Sequence, residues 1–261
     1  MSRWNPDAYL KFEQERTQPS RDLVARIGLK NLKSIVDIGC GPGNSTRVLR
    51  DAWPEAKVTG LDNSKEMIDK AQATYPEYEW ILEDAVNWQP LEKYDLVFSN
   101  ATLQWIPNHA RLLQHLFGMI NNEGAIAVQV PFNTESPLLQ AIASVAESAA
   151  WRDLMHGCSE QIFYRDETHY YEIISKLSSR VDMWSTTYIH VMESHQSLID
   201  WYSSTGLKIY VERITDEKEK LYFKTEILEA CKAKYPVQSN GKVLFPFKRI
   251  FFVAYKGESE T

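Results

Sequence analysis

The chain has 261 residues, 44% of them hydrophobic and 25% charged, and its 29 Lys and Arg against 35 Asp and Glu give a net charge of −6. This composition is typical of a globular protein with a sizeable core, and it excludes a disordered chain. The negative charge argues against a nucleic-acid backbone or an anionic membrane as a partner.

The amino terminus and the cysteines indicate a reducing compartment inside the cell. Residues 1–9 are polar and lack the apolar run of a secretion signal, and no apolar stretch is long enough to span a bilayer. Cys40, Cys158 and Cys231 are odd in number and far apart, which fits neither a disulfide framework nor a zinc or redox pair. We therefore expect a cytoplasmic protein.

An amino-terminal helix opens the predicted order of elements. Residues 6–16 place Tyr9, Phe12 and Arg16 on one helical face, and Pro19 is expected to end the helix. Short apolar runs then alternate with helical patterns, which is typical of successive βα units around a parallel sheet. The first half therefore predicts an α/β fold.

Five strands are predicted in this half, over residues 34–38, 57–61, 79–82, 95–98 and 124–130. The intervening helices are predicted from a cap at Asn44 or Ser45, from Ser64, and from Asn108. A turn over residues 121–124 is expected to precede the fifth strand.

The βα rhythm fails from about residue 131 to residue 179. This stretch is rich in aromatic residues and mostly helical in character, so we interpret it as a cap or insertion. The remaining predicted elements are a strand over 181–191, helices over 195–204 and 217–234, and strands or a bent hairpin over 243–255.

A glycine-rich turn joins the first strand to the first βα helix. Residues 37–45 read Asp-Ile-Gly-Cys-Gly-Pro-Gly-Asn-Ser, and glycines there allow a tight turn and close approach of a ligand. A dinucleotide-binding loop needs its third glycine at position 44, where this chain has Asn44. The G-x-G-x-G form after Asp37 resembles class I S-adenosylmethionine methyltransferases.

That resemblance implies a role for each polar strand end. Asp37 would help to hold the amino-acid end of the cofactor, and Asp62 would accept hydrogen bonds from the ribose hydroxyls. Asp84 would take the adenine amino group, although capping and solvation are alternatives, and Asn100 would lie near the sulfonium. The full predicted cofactor set is Tyr9, Arg16, Asp37, Gly39, Gly41, Asn44, Asp62, Asn63, Met67, Asp84, Ala85 and Asn100.

Further blocks resemble the trans-aconitate methyltransferase family along nearly the whole chain, from Ser2 to about Tyr255. They are Trp4-Asn-Pro, residues 37–46, Asn87-Trp-Gln-Pro90, Asn100-Ala-Thr-Leu-Gln-Trp105 and the motifs between Thr186 and Leu207. The similarity is weakest over residues 132–158.

The resemblance implies a Rossmann-like, mostly parallel sheet of seven strands with the last strand antiparallel, capped by helices from the amino terminus and from the segment after strand 5. The expected division is 1–30 as cap helices, 31–131 as the cofactor-binding core, 132–179 as a helical substrate cap, and 180–261 as the rest of the core.

The implied reaction is methyl transfer from S-adenosylmethionine to a carboxylate of trans-aconitate, giving a monomethyl ester and S-adenosylhomocysteine, with no metal. A carboxylate is already ionised at pH 7, so no general base is needed and none of the histidines is assigned that role. The substrate candidates are Arg16, Gln104, Trp105, Tyr171, Tyr188, His195 and Arg249, with Tyr170 as a weaker one. Packing is the alternative interpretation of the aromatic residues, and Arg16 could instead extend along a packed helix face.

Three alternatives stay open at this point. The substrate could be another small acid or a malonyl thioester; the protein could be a nicotinamide oxidoreductase, which Asn44 disfavours; or it could bind the cofactor without catalysis. We expect a small tricarboxylate as the partner, and neither nucleic acid, membrane nor an obligate protein partner.

Overall fold

The computed structural model describes residues 13–257, with side chains from residue 15 onward. Its strands are β1 (Ser34–Ile38), β2 (Lys57–Asp62), β3 (Glu79–Leu82), β4 (Tyr94–Asn100), β5 (Ile120–Pro131), β6 (Arg180–Met192) and β7 (Val243–Tyr255). They form a seven-stranded sheet in the order β3-β2-β1-β4-β5-β7-β6. The first five are parallel, and the last is antiparallel, as expected.

The helices are α1 (Glu13–Arg26), α2 (Asn44–Ala52), α3 (Lys65–Thr74), α4 (His109–Gly118), α5 (Pro137–Ala146), α6 (Arg152–Met155), α7 (Glu167–Ile174), α8 (His195–Ser203), α9 (Lys208–Val211) and α10 (Glu217–Cys231). Short 3₁₀ turns cover Leu103–Trp105, Ser159–Gln161 and Lys232–Lys234. Within residues 13–257, no helix combines the length and apolar character needed to cross a membrane.

The described chain divides into two compact units. The larger contains residues 13–131, 165–185 and 250–257, and the smaller contains residues 132–164 and 186–249. The domain division expected from the sequence stays a prediction.

The larger unit contains β1 to β5 with the helices that connect them. Burial on both faces of the sheet explains these strands: Ile35, Val36 and Ile38 of β1 are each fully buried, as are Leu96 and Val97 of β4. Lys256, just after β7, donates its backbone N–H to the carbonyl of Gly124 at 2.8 Å, which joins the last strand to β5.

The expectation that Pro19 ends the amino-terminal helix was wrong. The described helix continues through Pro19 to Arg26 and packs against α2. Its inner face is buried, with Ser20 and Leu23 almost inaccessible. An interior proline costs about 3 kcal/mol, which burial of apolar side chains at about 1.5–3 kcal/mol each can offset. Residues 6–12 of the predicted helix, including Tyr9 and Phe12, lie outside the described residues.

The turn predicted over residues 121–124 is instead part of β5. Tyr94 pairs with Ile120 and Leu96 pairs with Ala125, so four residues of β5 bulge opposite one residue of β4. A side chain at Gly124 would approach the Asp95 carbonyl to 2.6 Å, and this explains a glycine at the close contact.

The smaller unit is mostly helical and is organised around α5 and α10. Ser136 caps α5 by accepting a hydrogen bond from the Leu139 amide. The Trp151 indole donates to the Glu226 carboxylate at 2.6 Å, and its ring packs edge-on to Phe223 at 4.9 Å. Residues 243–249 belong to the single strand β7 rather than to a hairpin.

Candidate functional site

The carboxyl ends of four adjacent strands bring the predicted cofactor residues to one edge of the larger unit. Ile38 of β1 pairs with both Leu61 of β2 and Ser99 of β4, and Asp62 pairs with Leu82 of β3. Ligands of open α/β sheets bind outside this edge. The glycine turn, Asp62, Asp84 and Asn100 all follow or end these strands, as the sequence predicts.

The three glycines of the turn differ in what lies next to the position of a side chain. Gly39 has φ +70°, and a Cβ there would lie 2.2 Å from Oγ1 of Thr102; at Gly43, with φ +98°, it would lie 2.8 Å from the Trp80 ring. At Gly41, with φ +55°, a Cβ would meet no protein atom within 4 Å. Two glycines are therefore required by packing, whereas Gly41 presents its backbone to open space.

The Asp37 side chain contacts the first turn of α2. Its Oδ2 accepts hydrogen bonds from Ser45 Oγ at 2.6 Å and from Thr46 Oγ1 at 2.7 Å, while its Oδ1 is buried with no hydrogen-bond partner. Burial raises the pKa of the Asp37 carboxyl to about 6, against the lowering effect of the two hydroxyls. The expected cap by Asn44 or Ser45 was wrong: the helix begins at Asn44, Gly43 occupies the cap position without a side-chain hydrogen bond, and the Ser45 hydroxyl donates to Asp37.

Asp62 joins the glycine turn to α3. Its Oδ2 accepts the Gly41 amide at 2.9 Å and its Oδ1 accepts the Ser64 amide at 2.8 Å. Burial raises the pKa of the Asp62 carboxyl, while the backbone amides lower it. Ser64 caps α3, as predicted, by accepting a hydrogen bond from Met67. Met67 itself is buried, and Asn63 is exposed.

Asp84 serves at least as a turn residue. Its Oδ1 accepts the Val86 amide at 2.9 Å, and its carbonyl accepts the amides of Asn87 and Trp88. This is the capping alternative raised by the sequence. Ala85 beside it is buried.

The chain after β4 turns sharply. Ala101 has φ +56°, which is rare for a residue with a side chain, and its amide donates to the Gln129 carbonyl at 2.9 Å. Asn100 Oδ1 and Gln104 Oε1 are buried without a hydrogen-bond partner, and the Gln104 amide nitrogen donates to the Ala101 carbonyl at 2.6 Å. Two unsatisfied amide oxygens at a strand end are expected where a polar ligand binds.

The other candidates of the larger unit lie on helices. Arg16 on α1 is only 6% exposed, and Tyr9 lies outside the described residues. On α7, Tyr170 is fully buried and Tyr171 is 55% exposed. Trp105 is half-buried in the 3₁₀ turn after β4.

The remaining substrate candidates belong to the smaller unit. Arg249 is 5% exposed, with its guanidinium 4.8 Å from the Phe247 ring and 5.9 Å from the Tyr188 ring. His195 places Nε2 2.6 Å from the Tyr235 carbonyl, so its ring is engaged by the backbone. Arg249 and Tyr188 are thus brought together, and His195 has a separate, local contact.

Three further residues shape the glycine turn and were not predicted from the sequence. Thr102 Oγ1 donates to the Gly39 carbonyl at 3.3 Å, Trp80 fills the space against Gly43, and Thr46 shares the Asp37 carboxylate with Ser45. Only Thr46 had an available signal, since it lies in the first turn of a helix that follows the acid.

The edge therefore offers carboxylate and amide oxygens, open backbone at Gly41 and a helix amino terminus. Oxygen acceptors suit hydroxyl, amino and cationic groups of a ligand better than a phosphate. Within residues 13–257, no group of three or more His, Cys, Asp and Glu side chains is arranged to hold a metal ion.

Comparisons with known proteins agree with this geometry. A family model described as a methyltransferase domain matches residues 35–124. Proteins named trans-aconitate 2-methyltransferase, from Escherichia coli O7:K1 (strain IAI39 / ExPEC) and Escherichia coli (strain K12 / DH10B), are each 40% identical over 258 residues, covering 99% of this chain and 100% of theirs.

Solved structures support the fold. The YcgJ protein of Bacillus subtilis is 13% identical, with a TM-score of 0.60, over 93% of this chain and 100% of its own. Phosphoethanolamine N-methyltransferase 2 of Haemonchus contortus, solved with phosphomonomethylethanolamine and S-adenosylhomocysteine, is 17% identical with a TM-score of 0.59, over 92% of this chain and 53% of its own.

Proposed function

The chain belongs to the family of trans-aconitate 2-methyltransferases, and we propose that it transfers the methyl group of S-adenosylmethionine to one carboxylate of trans-aconitate, giving a monomethyl ester and S-adenosylhomocysteine. The observation that carries this proposal is 40% identity along 99% of the chain to relatives of that name. The glycine turn and the Asp62 contact with Gly41 support the cofactor half of it.

The polar strand ends fit this cofactor. When bound, S-adenosylmethionine supplies an electrophilic methyl group on a sulfonium. The Asp62 carboxylate, whose two oxygens each accept one backbone amide, retains lone pairs for the ribose hydroxyls. The buried Oδ1 of Asn100 would face the cationic end, and Asp84 with Ala85 would border the adenine.

The remaining cofactor residues have narrower roles. Gly41 has no side chain to block the ligand, and the lack of a side chain at Gly39 allows the turn to pack closely against Thr102. Asp37 supports the turn through Ser45 and Thr46, and acts on the amino-acid end of the cofactor through charge. Asn44, Asn63, Met67, Arg16 and Tyr9 complete the proposed set.

We propose that the protein catalyses the reaction by positioning the carboxylate oxygen against the methyl group. A carboxylate with an ordinary pKa near 4 is ionised at neutral pH, so its oxygen can attack the methyl carbon without a base, and the sulfur keeps the electron pair of the broken bond. Alignment of the reacting atoms and exclusion of water can supply about 7–11 kcal/mol. Gln104 and Trp105, which follow β4, are the residues we assign to that alignment.

Local positive charge must offset the overall charge of the protein. A net charge of −6 repels a tricarboxylate at long range, so binding requires basic groups placed close to it. Arg16, which is 6% exposed, is our first candidate because its fork can bind a carboxylate through two hydrogen bonds. The other predicted substrate contacts are Tyr171, Tyr188, His195 and Arg249. The cytoplasmic location also stays a prediction.

The proposal is tested by incubating the purified protein with methyl-labelled S-adenosylmethionine and trans-aconitate. Formation of a labelled monomethyl ester supports it, and absence of transfer would overturn it. Thermal stabilisation by S-adenosylhomocysteine but not by NAD is the accompanying test of cofactor class. A carboxyl methyltransferase for another small acid or a malonyl thioester remains the alternative.

A further inference from the structure

A buried histidine holds the turn that follows β4. His109 is the first residue of α4 and is 3% exposed. Its Nε2 lies 2.8 Å from the carbonyl oxygen of Leu103. Because a carbonyl can only accept, Nε2 must carry the proton in this contact.

The Leu103 carbonyl belongs to the 3₁₀ turn that carries Gln104 and Trp105. Leu103 is fully buried, and Gln104 reaches back to the Ala101 carbonyl at 2.6 Å. A backbone with φ +56° at Ala101 is unfavourable by itself and persists only where surrounding contacts enforce it. The His109 contact is one such enforcing bond.

The imidazole is in turn fixed by α7. The Tyr170 ring stacks on it with centroids 5.4 Å apart and planes 14° apart, and the His169 ring meets it edge-on at 6.0 Å. Tyr170 is fully buried and packs on Phe252 at 5.6 Å. The ring therefore cannot swing away from Leu103 without disturbing the core of the larger unit.

We propose that His109 is a positioning residue for methyl transfer: its Nε2–H holds the Leu103 carbonyl and so sets Gln104 and Trp105 in the alignment the reaction needs. The role rests on the proposed function. His109 acts through the backbone and is not itself placed against the substrate.

The surroundings keep this ring neutral. Burial, together with the like charges of His169 and Arg165, lowers the pKa of His109, and the contact with Leu103 opposes that effect. Tyr170, the other titratable group against the ring, has a raised pKa because of burial and stays neutral. Nδ1 is buried with no hydrogen-bond partner, so protonation there adds a charge with no acceptor.

Two substitutions separate the hydrogen bond from the packing. His109→Phe keeps a ring for Tyr170 to stack on and removes the donor, whereas His109→Gln keeps a side-chain N–H. His115→Phe is the matched control, because His115 lies on the same helix and places Nε2 2.9 Å from a different carbonyl, that of Trp88.

With trans-aconitate as substrate, we expect His109→Phe to lower kcat by about 10- to 100-fold, since small misplacements cost that much, while KM for the cofactor changes little. His109→Gln should recover most of kcat, and His115→Phe should keep it.

Hydrogen–deuterium exchange of a peptide over residues 101–107 gives an independent readout. We expect faster exchange in His109→Phe and wild-type exchange in His109→Gln. Wild-type kcat in His109→Phe, or no recovery in His109→Gln, would overturn the proposal. If the wild type itself transfers no methyl group to trans-aconitate, the proposed function fails, and unchanged exchange in His109→Phe would still refute the positioning role.

Discussion

The carboxylate of Asp62 accepts the backbone amide of Gly41 at 2.9 Å, across 21 residues of chain. This bond couples the end of β2 to the open glycine of the turn after β1. The same carboxylate accepts the amide of Ser64 at 2.8 Å, which fixes the entry to α3. One acid therefore shapes the turn and is also the residue proposed to bind the ribose hydroxyls.

We predict that Asp62→Ala weakens binding of S-adenosylhomocysteine by about 10- to 100-fold, the cost of losing hydrogen bonds to a charged group. Asp84→Ala should cost less, about threefold, because Asp84 is assigned one hydrogen bond, to the adenine amino group, whereas Asp62 is assigned the ribose hydroxyls. Isothermal titration calorimetry of both variants checks the order. A larger effect at Asp84 would mean that the ribose and adenine contacts are wrongly assigned to Asp62 and Asp84.

The glycines of the turn give a second prediction. Gly41→Ala should fold with a loss of about 1–2 kcal/mol from its positive φ, and should bind the cofactor at least tenfold more weakly, since its Cβ points into open space. Gly118→Ala, at the end of α4, also meets no atom within 4 Å and is the control that should bind normally. Equal binding by both variants would place the ligand elsewhere.

Asp37 predicts a specific pH dependence of stability. Its folded-state pKa of about 6 lies above the ordinary value of 3.8, so its contribution to folding is complete below about pH 4 and is lost as pH rises through 6. Asp37→Asn cannot titrate. The stability of this variant relative to the wild type should therefore rise between pH 4 and pH 7, by at most about 3 kcal/mol.

Urea unfolding at pH 4, 5.5 and 7 measures that difference. A relative stability that is flat or that falls with pH would show that the folded-state pKa of Asp37 is not raised. Binding of the cofactor should weaken in the same variant, since the negative charge is lost.

Arg16 is the predicted source of substrate affinity. Arg16→Met keeps most of the packing volume and removes the charge, and we expect it to raise KM for trans-aconitate by about tenfold or more. Arg26→Met is the control on the same helix; Arg26 is exposed and pairs with Asp182 at 2.8 Å. An unchanged KM in Arg16→Met would support the alternative that Arg16 only packs.

Local signals in the sequence explain what could be predicted. The strand β1, the cap at Ser64 and the acid at Asp62 follow from patterns within a few residues, and the structure has all three. The order of strand ends then follows from the topology of a parallel sheet. Most of the sheet edge that is proposed to bind the cofactor could therefore be predicted from the sequence.

Long-range contacts explain what could not be predicted. Thr102 meets Gly39 across 63 residues, and nothing near either residue indicates the pairing. Pro19 fails to end α1 because tertiary burial of Leu23 outweighs a local penalty. The Ser45 hydroxyl donates to the buried Asp37 carboxylate, a contact that a local capping pattern does not indicate.

A comparison of four acids tests whether trans-aconitate is the substrate. Initial rates of methyl transfer would be measured with trans-aconitate, cis-aconitate, citrate and isocitrate at one concentration of S-adenosylmethionine. We predict that kcat/KM for trans-aconitate exceeds that for each of the other three. Equal values for all four acids, or a preference for another of them, would contradict the account.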